Sequence, residues 1–134
     1  MKVLKSELVD GFIEALLFAE ADGDHDGYEP SELLVKSVGV LFDVYLSNVQ
    51  NRELIEKYQN DVKNGRGFAH SMCFNLYGFG AGFFDEIPQS PFLASIEQSL
   101  IDLNFNGEVY FDDERATLEP DNWRCFYTDK SRTR

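Results

Sequence analysis

Histidine, cysteine and basic side chains are scarce in this 134-residue chain: two His, two Cys, and 12 Lys plus Arg against 24 Asp plus Glu. Two histidines leave no cluster from which a catalytic metal centre is built. Cys73 and Cys125 stand far apart, with neither metal nor redox spacing, and read as reduced thiols of a cytosolic protein. The deficit of bases gives a net charge of -12 and a pI near 4.4. A field of that sign repels DNA, RNA and anionic lipid, so direct nucleic-acid or membrane binding is not expected. No apolar run approaches the roughly 18 residues a bilayer span needs. The opening Met1-Lys2-Val3-Leu4-Lys5-Ser6-Glu7 carries no export signal, and a cytoplasmic location is expected.

Apolar residues make up 43% of the chain and aromatics 14%, with 12 Phe, 6 Tyr and 1 Trp. That is material for one packed core, and 1–134 reads as a single domain. Leu8, Phe12, Ala15, Leu16 and Ala19 recur at helical steps, predicting a helix from about Ser6 to the turn at Ala21-Asp22-Gly23. Ser31 reads as the N-cap of the next helix, with Leu34, Val38, Leu41, Phe42 and Tyr45 on its buried face. Leu54, Ile55, Tyr58 and Val62 continue the pattern to about Lys63, as one kinked helix or two, and Asn64-Gly65-Arg66-Gly67 reads as its end.

The period then becomes two. Phe68, His70, Met72, Phe74 and Leu76 alternate with Ala69, Ser71, Cys73, Asn75 and Tyr77, predicting a half-buried strand. Gly78, Gly80 and Gly82 suggest a hairpin into a second strand. Ser90-Pro91 opens a further helix, Asn106-Gly107 a turn, and Glu108 to Phe111 a third strand. The expected fold is α+β: a helical N-terminal half (1–65) packed on a small, mostly antiparallel three-stranded sheet with one further helix (66–112). Residues 113–134 read as a C-terminal extension with a basic end, in which Trp123, Phe126 and Tyr127 are placed to pin the chain to the core.

The charge has a direction. Residues 1–35 hold nine acids and two bases, and Glu20 to Glu32 contains six acids and no Lys or Arg. Asp22-Gly23-Asp24-His25-Asp26-Gly27 matches the first half of an EF-hand loop. Glu29 at its eighth position and Leu33 at its twelfth break the second half, so an acidic surface loop is expected and no metal. Gly78-Phe79-Gly80-Ala81-Gly82 lacks the following helix and the Lys of a phosphate loop, which leaves tight turns as its role and no cofactor. His70 paired with Asp85 across the hairpin is the one candidate acid–base couple. No nucleophile in a recognisable setting accompanies it, so no catalytic residue is assigned.

The segment from His70 to Asp85, reading His-Ser-Met-Cys-Phe-Asn-Leu-Tyr-Gly-Phe-Gly-Ala-Gly-Phe-Phe-Asp, resembles one found in a family of small uncharacterised bacteriophage and prophage proteins. His70, Gly78, Gly80, Ala81, Gly82, Phe83 and Asp85 agree with that family. Ser71, the run Asn75-Leu76-Tyr77 and Phe79 replace its polar Asp, Thr-Arg-Asn and His, which favours a structural hairpin over an active site. The resemblance implies a phage-type origin. Small phage proteins without catalytic signatures commonly bind and block a host protein. Carboxylates on a stiff scaffold suit a nucleic-acid-binding or defence enzyme as the target, by imitating duplex phosphates. The expected partner-binding surface comprises Glu7, Asp10, Glu14, Glu20, Asp22, Asp24, Asp26, Glu29 and Glu32, with a non-mimic interaction module and a small enzyme using His70 and Asp85 as the alternatives.

Overall fold

A computed structural model describes residues 3–20, 25, 27–61, 65–77 and 93–124. Within them the order is α1 (Lys5–Glu20), β1 (Glu29–Pro30), α2 (Glu32–Leu46), α3 (Val49–Asp61), α4 (Gly65–Tyr77), α5 (Leu93–Asp102), β2 (Asn106–Asp112) and β3 (Thr117–Arg124). The class is α+β, as expected. No helix among the described residues is long and apolar enough to cross a membrane.

Ser31 caps α2 as its sequence position foretells, its hydroxyl accepting the Leu34 N–H at 3.0 Å. The helical region beyond Asn48 is a separate helix, α3, so the two-helix alternative holds. Leu8, Phe12 and Leu16 of α1 meet Val38, Phe42 and Tyr45 of α2, Ile55 and Tyr58 of α3, and Phe68 and Met72 of α4 in one core. Buried polar groups tie this core to α5. The Tyr45 and Ser99 hydroxyls bond at 2.8 Å, Ser99 donates to the Ile96 carbonyl, and the Asn51 amide donates to the Tyr45 carbonyl. The expected helix start at Ser90-Pro91 lies outside the described residues, as do Cys125, Phe126 and Tyr127.

Five expectations are overturned. The alternating stretch Phe68–Tyr77 forms a helix, not a strand, and Gly65-Arg66-Gly67 opens that helix instead of closing its predecessor. Phe68, Met72 and Leu76 satisfy both periods; the fully buried Ala69 and Cys73, on the opposite face of any strand, satisfy only the helical one. The sheet is mixed, not mostly antiparallel, in the order β1-β3-β2, with β1 parallel and β2 antiparallel to β3. Its central strand, β3, lies in the region read as a C-terminal extension. Asn106-Gly107 is no hairpin turn: it begins β2, where the pairing with β3 shifts register.

Candidate functional site: an acidic junction of loop and hairpin

The parallel pairing of β1 with β3 brings Glu29 and its described neighbours onto the β2–β3 turn. The Glu29 N–H donates to the Ala116 carbonyl (3.2 Å), and the Ser31 N–H to the Leu118 carbonyl (3.0 Å). Three rings brace the same junction. His25 stacks on Phe111 with centroids 4.0 Å apart and planes 6° from parallel, and Tyr28 meets both rings edge-on at 5.0 and 5.4 Å. The Tyr28 hydroxyl donates to Asp113 Oδ1 at 2.8 Å, and His25 Nε2 stands 3.3 Å from that oxygen. Asp112 Oδ1 accepts the N–H groups of Glu114 and Arg115, fixing the turn. Glu29, Asp112, Asp113 and Glu114 thus share one end of the molecule. Arg115 opposes them, its Nε 3.9 Å from Asp112.

The other expected acids are distributed as follows. Glu7, Asp10 and Glu14 form a stripe on α1 opposite its buried face, at i, i+3 and i+7. Arg66 of α4 ion-pairs with both Asp10 and Glu14, so one of that stripe's three charges is offset within the molecule. Glu20, half-buried at the end of α1, lies near Cys73 and Tyr77. Burial first, and then the Glu20 charge, pushes the Cys73 thiol up. The Tyr77 phenol is likewise raised by burial first, with the charges of Cys73, Glu20 and Glu108 adding to it. Glu32 is exposed in the first turn of α2. Asp22, Asp24 and Asp26 lie outside the described residues, as do Gly78, Gly80, Gly82 and Asp85.

His70 is on α4, half-buried beside Phe74 at a centroid distance of 5.2 Å, and not on the apolar face of a strand. Among the described residues no group of three or more His, Cys, Asp or Glu is placed to hold a metal ion. A polar cleft of about 430 Å³ between α3 and α5 is lined by amides, hydroxyls, Lys57, Glu53 and Asp102, without His or Cys.

No family model, curated protein or solved structure matches this chain.

Sequence reading missed the junction because its halves are 85 residues apart, from Tyr28 to Asp113. The available signal was the coincidence of aromatics with acid runs: Tyr28 within Asp22–Glu32, and Phe111 followed by Asp112-Asp113-Glu114.

Proposed function

We propose that this chain is a non-catalytic binding protein of phage type that presents the loop–hairpin junction to a basic surface of a host protein. The observation that carries the reading is the ring-braced clasp of His25, Tyr28 and Phe111. It holds Tyr28 and Glu29 against Asp112, Asp113 and Glu114, which are distant in sequence. Carboxylates held on a rigid frame lose little conformational freedom on binding, and their shared sign steers a cationic partner. A cleft that normally takes nucleic acid is the partner class this charge suits best, since such clefts are built to receive dense anionic arrays. The internal pairing of Asp10 and Glu14 with Arg66 favours the junction over α1 as the contact surface.

The experiment is affinity capture from host lysate at low and high salt, with captured protein then challenged by duplex DNA. A partner retained at low salt, lost at high salt and displaced by DNA supports the proposal. Retention that ignores both salt and DNA contradicts it, and retention sensitive to salt alone favours the non-mimic module.

A further inference from the structure

Away from the junction, the outer face of α2 breaks the acidic pattern. Leu33, Lys36, Val40 and Asp43 follow one another at i, i+3, i+7 and i+10, on the side of the helix opposite Leu34, Val38, Leu41 and Tyr45. Leu33 and Val40 are more than half exposed, at 58% and 56%. Beside them runs a groove of about 600 Å³ between α1 and α2, floored by Val9, Val35 and Gly39. Its rim carries both signs: Lys5, which bridges to Asp43 at 2.7 Å, Asp10, and Lys36, which has no ion pair among the described residues. In a chain of net charge -12, this rim is balanced at two cations and two anions.

We propose that this face is a homodimer interface in which α2 packs antiparallel on α2 of a second copy, about a two-fold axis beside Val40. A one-signed partner would leave half the rim opposed by like charge. A second copy does not, because the pattern is its own complement under a two-fold axis. With the axis next to Val40, residues whose numbers sum to about 79 stand opposite one another across an antiparallel pair. Val40 then meets Gly39 and Val40 of the partner copy, and each Lys36 meets the other copy's Asp43. Asp43 is 60% exposed despite its bridge to Lys5, which leaves an oxygen face for this second cation. Helix α2 is about 22 Å long at 1.5 Å per residue, so a face two helices wide sits at the low end of specific interfaces.

Sedimentation of the full chain across a concentration series tests this, with circular dichroism confirming that each variant is folded. Wild type is expected to pass from monomer to dimer, and Val40→Glu, a surface change, to weaken the dimer at least about tenfold by placing two carboxylates at the axis. Lys36→Asp alone and Asp43→Lys alone should each be monomeric, because both set like charges opposite one another. Their equimolar mixture should dimerise again. The new carboxylate of one chain then meets the new ammonium of the other, and the native Asp43 of the first meets the native Lys36 of the second. A wild type monomeric throughout the series, or a dimer indifferent to Val40→Glu, overturns the interface; a mixture that stays monomeric overturns the antiparallel register. Val40→Glu separates this from the junction proposal: it weakens the dimer and leaves capture of a basic partner at the junction unchanged.

Discussion

Gly11 sits where α1 crosses α4, and a Cβ built there would run into the backbone carbonyl of Arg66. Propensity alone makes Gly→Ala inside a helix stabilising by about 1 kcal/mol. Here the neighbour is backbone and cannot swing aside, so Gly11→Ala should destabilise by about 2–3 kcal/mol, read as a lowered denaturation midpoint. An unchanged or raised midpoint would refute the close crossing. Sequence could not announce this, because Gly11 lies inside an amphipathic stripe and Arg66 is 55 positions away. A second expectation concerns Cys73 and Tyr77, both raised above their ordinary values of 9.0 and 10.0, chiefly by burial. Above those values the unfolded chain releases protons that the folded chain keeps. Stability is therefore full below about pH 9 and falls as pH climbs beyond it. Thermal midpoints from pH 7 to 11 should show that decline, and Cys73→Ala should make it shallower; an identical decline in the variant would argue that the thiol does not contribute.

The elements show where local pattern suffices. Helices α1 and α2 were legible almost to their ends, because an amphipathic stripe and a hydroxyl cap at Ser31 are local signals. Ser31→Ala should cost about 1 kcal/mol by leaving a first-turn N–H without its acceptor, measurable by chemical denaturation. Helix α4 was misread because its large apolar residues are compatible with two periods, and the small Ala69 and Cys73 that decide between them carry little weight in a pattern of bulk. Strand β3 was missed for another reason. Its run Thr117-Leu118-Glu119-Pro120-Asp121-Asn122 has one buried apolar residue, Leu118, and its identity as a strand comes from pairing with β2 and β1. The clasp between loop and hairpin is a tertiary contact of the same kind. Phe111→Ala removes the ring on which His25 stacks. Amide exchange should then accelerate at Glu29 and Ser31, whose N–H groups bond to Ala116 and Leu118, while the α2 interior stays protected. Uniform exchange across the chain in both proteins would mean that the rings do not brace the loop.

Across the whole molecule, carboxylates occur on every described helix except α4 and on both long strands. What distinguishes the junction is therefore not the sign of its charge but the ring clasp that joins the loop to Asp113 and the hairpin. The position of Asp113 matters here. By sequence alone, Asp112 and Asp113 look remote from Asp22–Glu32 and would serve as a neutral reference for charge reversal. In the fold Asp113 bonds to Tyr28 and lies beside His25, so both aspartates adjoin that segment and a reference set must come from elsewhere; Glu53 and Glu56 on α3 with Glu97 on α5 meet that need. The most direct measurement is the salt dependence of affinity for the captured partner in three proteins: wild type, Asp112→Asn/Asp113→Asn/Glu114→Gln, and Glu53→Gln/Glu56→Gln/Glu97→Gln. The amide replacements keep the oxygen acceptors that Tyr28 and the turn require while removing three charges. A junction that carries binding predicts a shallower salt slope and an affinity at least about tenfold lower for the first variant, with the second close to wild type. Equal losses in both variants would mean that only total charge matters, and would contradict a localised acidic binding surface.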